Sequence, residues 1–116
     1  MAKSRTTWRP RFLPPDWGKL HDYDRGWIAA LIDGEGCLAI EKNGSTLQIS
    51  NTSLGFLQKA QKLIGGSIQQ VPMSKLSKKA VYRLTLRKTL LLWLLPQIEL
   101  FDKEEVRRAI MSKYGR

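Results

Sequence analysis

Asp33 and Glu35 flank Gly34 at the end of a stretch, Gly26 to Ile32, that carries no charge. The stretch predicts a helix starting near Tyr23, capped by Asp22 or Asp24 and stopped by Gly34 in the left-handed conformation. A helix C-terminus carries partial negative charge, so carboxylates there are disfavoured by about 0.3–1 kcal/mol each. A divalent cation offsets that cost. Hard cations such as Mg²⁺ take oxygen ligands and need only one or two carboxylates, with water and phosphate completing the shell. On this reading Glu35 lies past the helix stop, at the start of a strand, where it can reach a ligand. Asp33 is still in the last turn and serves the backbone as a cap. The competing reading of Gly34-Glu35-Gly36 is a tight turn with a solvated acid.

One carboxylate makes a poor metal site, and two make a better one. The predicted helix is apolar on nearly every face, and Ala29 and Ala30 would let another backbone come close. If it pairs with its copy in a second chain, two Glu35 side chains converge across a twofold axis. That geometry suits metal-assisted phosphodiester hydrolysis, with one cation beside each strand of a duplex.

The elements that must position this helix end follow in order. Cys37 to Lys42 alternates as a strand, Asn43-Gly44-Ser45 is a hairpin turn, and Thr46 to Asn51 is the return strand. Leu38, Ile40, Leu47 and Ile49 are assigned to the core face; Ala39, Glu41, Thr46, Gln48 and Ser50 point outward. A second helix runs from about Ser53 to Ile64, with Leu54, Leu57, Ala60 and Leu63 as its stripe, and Gly65-Gly66 ends it. Ser67 to Val71 is a short strand. Met73 to Lys79 is a loop with Lys75, Lys78 and Lys79. Ala80 to Arg87 alternates again, with Tyr82, Leu84 and Leu86 inward and Val81, Arg83, Thr85 and Arg87 outward. Thr89 caps a short helix from Leu90 to Leu95, before Pro96. Asp102 with Glu105 resembles a capping box for a last helix, about Lys103 to Tyr114. The class is α+β: an antiparallel sheet covered by helices on one side.

The charge balance points to a partner. Twenty Lys and Arg oppose ten Asp and Glu in 116 residues, a net charge of +10. Repulsion at that density is relieved by a polyanion, most commonly nucleic acid. The basic residues are spread along the chain rather than gathered on one amphipathic helix, which disfavours a membrane surface. The outward faces of the strands are polar and suited to base edges. Glu41, Gln48, Gln70, Arg83 and Arg87 are base- or phosphate-contact candidates. Residues 1–20 hold Pro10, Pro14 and Pro15 among basic and aromatic residues and read as an extended arm, leaving 21–116 as one domain. Cys37 is the only cysteine and His21 the only histidine, so one chain forms neither a disulfide nor a Cys/His zinc cage. No apolar run spans a bilayer, and the N-terminus lacks the apolar stretch of a signal peptide, so the expected setting is intracellular.

The run Ile28-Ala29-Ala30-Leu31-Ile32-Asp33-Gly34-Glu35-Gly36 resembles the signature of the LAGLIDADG homing endonucleases. The likeness extends over about residues 23–114, with Asn43-Gly44 at the hairpin and Gly65-Gly66 after the second helix. It implies an αββαββα domain whose sheet forms a saddle on DNA. It implies that Glu35 binds the catalytic metal beside the small residue Gly34, and that Asn51 helps to order active-site water. Lys103 aligns with the lysine often found near the scissile phosphate, with Lys88 as the fallback. The paired helices would meet through Trp27, Ile28, Ala29, Ala30, Ile32 and Asp33, with Ala30 in place of the more usual glycine. The DNA surface would comprise Ala39, Glu41, Asn43, Thr46, Gln48, Ser50, Gln70, Lys75, Lys78, Lys79, Val81, Arg83, Thr85, Arg87 and Lys88. Gly55 is a departure, since some members carry a basic residue after the second strand.

The resemblance therefore implies a homodimeric, site-specific double-strand DNA endonuclease acting on a long pseudo-palindromic target. Its cofactor would be Mg²⁺, in a site that Mn²⁺ or Ca²⁺ could also occupy, with no small-molecule cofactor. Two further readings stay open. One is the same fold without cleavage, as an intron maturase or a DNA-binding regulator; the other is a basic structural protein.

Overall fold

The computed structural model describes residues 19–42, 44–72 and 79–114. Residues 1–18 of the N-terminal arm, Asn43, Lys75 and Lys78 lie outside the described residues. The element order is α1 (Asp22–Glu35), β1 (Gly36–Glu41), β2 (Gly44–Asn51), α2 (Leu54–Ile64), β3 (Ser67–Val71), β4 (Val81–Leu86), α3 (Lys88–Leu94), a 3₁₀ turn (Leu95–Gln97) and α4 (Glu104–Lys113). The four strands form one antiparallel sheet in the order β1-β2-β4-β3.

Alternation sets one face of this sheet against the helices. Leu38, Leu47, Ile49, Ile68, Leu84 and Leu86 are buried there, against Ile28, Leu31 and Ile32 of α1, Leu57, Ala60 and Ile64 of α2, and Leu90, Leu91 and Leu94 of α3. Each such Leu or Ile side chain stabilises the fold by about 1.5–3 kcal/mol through removal from water. The opposite face carries Cys37, Ala39, Gln48, Ser50, Thr85 and Arg83, and among the described residues no helix packs over it. Ile40, expected in the core, is 45 % exposed. It sits near the end of β1, which is an edge strand, so it has a strand neighbour on one side only.

Helix ends depart most from the sequence expectations. His21, not an aspartate, occupies the N-cap of α1, and Asp22 and Asp24 lie in the first turn. Gly34 is not left-handed: among the described residues only Gly44, Gly65 and Gly66 have positive φ. The helix continues through Glu35 and stops because Gly36 turns into extended backbone at φ −86°, its N–H donating to the Ile32 carbonyl. A Cβ at position 36 would lie 2.8 Å from that carbonyl oxygen, so only glycine lets a strand leave the helix so abruptly. Arg87 rather than Thr89 stands at the N-cap of α3.

The expected capping box of α4 does not form. Glu104 instead turns back to accept from the Leu100 N–H at 2.8 Å and receives Arg107 and Arg108. The Arg107 hydrogen bond, followed by that from the Leu100 N–H, holds the Glu104 carboxyl well below the usual carboxylate range. α2 starts and stops close to the expected bounds: Ser53 Oγ caps it by accepting from the Phe56 N–H at 3.2 Å, and Gly65 closes it at φ 80°.

Candidate active site

The last turn of α1 gathers three of the residues singled out from the sequence. Glu35 is exposed, and its Oε1 accepts a hydrogen bond from Asn51 Nδ2 at 2.9 Å. Asn51 ends β2, on the helix-facing side of the sheet opposite Tyr82. Its own Oδ1 accepts from the Ser53 N–H at 2.8 Å, just before α2 begins. That second bond decides the orientation of the amide: with the oxygen used by a backbone donor, the NH₂ group must face Glu35. Glu35 is therefore held as an acceptor. Among the described residues only its Oε1 has a partner, which leaves Oε2 available to a ligand.

Lys103 reaches the same turn from the other side of the fold. Its Nζ donates to the Asp33 carbonyl at 2.7 Å. A helix C-terminus leaves its last carbonyls without intrahelical partners, and an ammonium there also complements the helix dipole. This explains why α1 needs no left-handed glycine at position 34. It also places a cation two residues from Glu35. Lys88, the fallback for this role, lies elsewhere, with its Nζ 4.7 Å from the centroid of the Tyr114 ring. Gly55 is exposed in the first turn of α2 and supplies no basic group.

Asp33 works within the chain. Its carboxylate accepts from the backbone N–H groups of Phe101, Asp102 and Lys103 at 2.6, 3.1 and 3.2 Å. It thus caps the start of α4 from a helix nearly seventy residues earlier in sequence. Replacing Asp33 with Ala leaves those donors to water alone. We predict a loss of about 1–2 kcal/mol in unfolding free energy, read as a lower urea midpoint, with partial recovery in Asp33→Asn. A midpoint unchanged in Asp33→Ala would show that the cap contributes nothing.

The residues expected at a helix pair divide in two. Ile28 and Ile32 are fully buried in the chain's own core, and Trp27 packs edge-on to Phe56 at 5.4 Å with Lys59 Nζ above its ring. They brace α1 from behind. The exposed stripe is instead Tyr23, Gly26, Ala30 and Gly34, with Ala29 half-buried beside it. A Cβ built at Gly26 or Gly34 meets nothing within 4 Å. Among the described residues nothing packs on Gly26 or Gly34, and the stripe leads to Glu35. Phe101, 89 % exposed and tied by its N–H to Asp33, stands near the same helix end. Nothing in local sequence marked it, because its exposure follows from how the loop before α4 meets α1.

The outward sheet face follows the expected alternation with two corrections. Pairing with β4 places Gln69 opposite Arg83, whereas Gln70 pairs with Tyr82 and so shares the helix side of the sheet. Gln70, expected outward, therefore lies on the helix side of the sheet, and its neighbour Gln69 stands on the outward face. The register decides this, since a shift of one residue exchanges faces. Thr46 is outward but only 6 % exposed, lining a cleft shared with Arg87 and Lys88. Cys37, Gln48, Thr85 and Ser67 form one cross-strand row, with Ser50, Arg83 and Gln69 in the next. Ala39, exposed Glu41 and half-buried Val81 complete the expected outward set on the strands, and Lys79 is exposed just before β4.

Among the described residues no group of three His, Cys, Asp or Glu side chains converges as a metal cage. A single chain can offer the Glu35 carboxylate and the adjoining backbone carbonyls, including that of Gly34. This donor set fits a hard cation that keeps water and phosphate in its shell, and it does not fit zinc in a closed structural site. No helix of the described residues is long and apolar enough to cross a membrane.

No characterised protein and no solved structure matches the chain. The family model of the LAGLIDADG-like domain matches residues 22–99, from the first turn of α1 to the loop before α4. With α1 leading directly into the sheet, and with Glu35 and Asn51 joined at that junction, the chain belongs to the LAGLIDADG homing endonuclease family.

Proposed function

We propose that this protein is a homodimeric, site-specific double-strand DNA endonuclease that uses a divalent cation such as Mg²⁺. The observation that carries the proposal is the Glu35–Asn51 pair: an acid held as an acceptor at an exposed helix end, with one oxygen engaged and the other available. Two chains joined through the stripe of Tyr23, Gly26, Ala30 and Gly34 would bring two such acids to one axis, each facing one strand of a duplex. The bound cation would supply activation of water and neutralisation of charge on the phosphate oxygens. Glu35 and the Gly34 carbonyl would hold it. Asn51 acts as a positioning residue, fixing the Glu35 carboxylate and ordering the water nearest to it. Lys103 adds positive charge beside the scissile phosphate.

Recognition would fall to the uncovered sheet face set in the major groove, where every base pair presents a distinct pattern of donors and acceptors. Gln48 and Gln69 can each pair bidentately with a base edge, and Arg83 can contact guanine or phosphate. The net charge of +10 supports a long duplex target. The test is incubation with a randomised duplex library in Mg²⁺ and sequencing of the cut ends. Ends clustering on a pseudo-palindromic sequence support the proposal. Intact duplexes, bound but uncut in Mg²⁺ and Mn²⁺ alike, would leave a DNA-binding protein of this fold and no nuclease.

A further inference from the structure

A second cationic site lies at the far end of the sheet from Glu35. Lys42, Arg87, Lys88 and Lys113 line one cleft of about 520 Å³ together with Ser45 and Tyr114. Glu41 is its only acidic side chain. Tyr114 organises the cluster: its hydroxyl lies 3.3 Å from Ser45 Oγ, and Lys88 Nζ and Lys113 Nζ stand 4.7 and 5.4 Å from the centroid of its ring. Lys113 is further fixed by donating to the Glu41 carbonyl at 2.9 Å. All four cations are exposed, and among the described residues none of them forms an ion pair.

Two ammonium groups held against one ring are no farther apart than roughly a Debye length, about 10 Å at 0.1 M salt. They repel each other, and among the described residues no carboxylate forms an ion pair with either. The ring face attracts each cation and fixes where it points. Such a cluster is preorganised for an anion with several acceptor oxygens, and the bonded pair of Ser45 and Tyr114 hydroxyls keeps one O–H as a further donor.

We propose that this cleft is a distal phosphate clamp for duplex DNA, separate from the groove-reading face. The proposal rests on the DNA-binding reading above. β1 links the two ends of the molecule: it starts at Gly36, next to Glu35, and reaches the cleft at Glu41, five steps on. At a rise of about 3.3 Å per residue this separates clamp and acid by about 17 Å, the span of about five base pairs. The clamp therefore holds backbone on the flank of the site. It also gives α4 a part in binding, since Lys113 and Tyr114 lie beyond the residues 22–99 that match the family.

The test is a salt titration of binding to a fluorescent duplex of arbitrary sequence, followed by anisotropy without added metal. Each lost phosphate contact makes the slope of log K against log salt shallower by about 0.9. We expect Lys88→Gln/Lys113→Gln to be shallower by about one to two, with affinity about 10- to 30-fold lower at low salt on every sequence tried. Lys88→Arg/Lys113→Arg should restore both. Lys42→Gln, on an exposed side chain without a hydrogen bond to any described residue, should lose just under one unit of slope and decides the matter if the double variant does not fold. Unchanged slopes in these glutamine variants, with the parent binding normally, would overturn the clamp alone. A parent protein without salt-dependent duplex binding would overturn the DNA-binding reading and the clamp together.

Discussion

Glu35→Gln is expected to lower Mg²⁺-dependent cleavage by at least about 10³-fold while duplex affinity in Ca²⁺ or without metal changes less than about 3-fold. The amide is nearly isosteric and keeps an oxygen that can accept from Asn51 Nδ2, so the junction between α1 and β1 should stay intact. What it loses is the negative charge, the one carboxylate at this helix end that, among the described residues, is not taken up by backbone donors, and with it the proposed hold on a hard cation. Asn51→Ala separates the positioning role from the metal-binding one. It should lower the cleavage rate by about 10- to 100-fold and raise the Mg²⁺ concentration needed for half-maximal rate, because Glu35 is then no longer held in one rotamer. Single-turnover cleavage across a Mg²⁺ series reads both quantities. A Glu35→Gln protein that cuts at more than one tenth of the parent rate would remove Glu35 from the chemistry. An Asn51→Ala protein with parent-like Mg²⁺ dependence would do the same for the positioning role.

Ala30→Arg is expected to convert a dimer to a monomer at micromolar concentration and to abolish double-strand cleavage. Ala30 lies at the centre of the exposed stripe, between Gly26 and Gly34, with solvent over it in the single chain. The substitution therefore leaves the core untouched, and the thermal transition of the monomer should move little. Across a twofold axis the same change places two guanidinium groups face to face with no carboxylate nearby. Leaving such charges buried and unpaired costs about 3–5 kcal/mol, more than a hundredfold in dimer affinity. Light scattering over a dilution series, beside a nicking assay on supercoiled plasmid, measures both effects. A parent protein that is monomeric with and without DNA would sink the twofold site; a dimeric Ala30→Arg protein would place the seam elsewhere.

These two variants probe features of different legibility. The acid, the uncharged helix before it and the strand after it are all local. Alternation of apolar residues in Leu38, Leu47, Ile49, Leu84 and Leu86 assigned the core face of three strands, because the side-chain period of a strand is two whatever its partners are. Ser53 and Gly65 marked both ends of α2 for equally local reasons: a hydroxyl that meets the first orphan N–H, and a residue without Cβ where φ must be positive. Glu35 stood out because a carboxylate at a helix C-terminus is electrostatically awkward. Asn51 and Lys103 had no such mark and entered only through likeness to a family.

Long-range pairing decided the rest. Gln69 and Gln70 are adjacent and chemically identical, so no property of either says which one faces outward. Only the register of β3 on β4, with Gln69 opposite Arg83, assigns it. The end of α1 was misread for a related reason. A left-handed glycine is the local way to satisfy the last carbonyls of a helix, and Gly34 offered it. The fold uses Lys103 instead, 70 positions away. Asp33 was legible as a backbone cap, but the three donors it engages belong to the loop before α4, which local sequence did not reveal. Sequence alone determined which residues must be buried and where an acid would meet a helix end, since burial and dipoles act over one or two turns. Tertiary structure decided which partner satisfies each exposed donor and acceptor, since a hydrogen bond acts only over about 3 Å and its partner can come from anywhere in the chain.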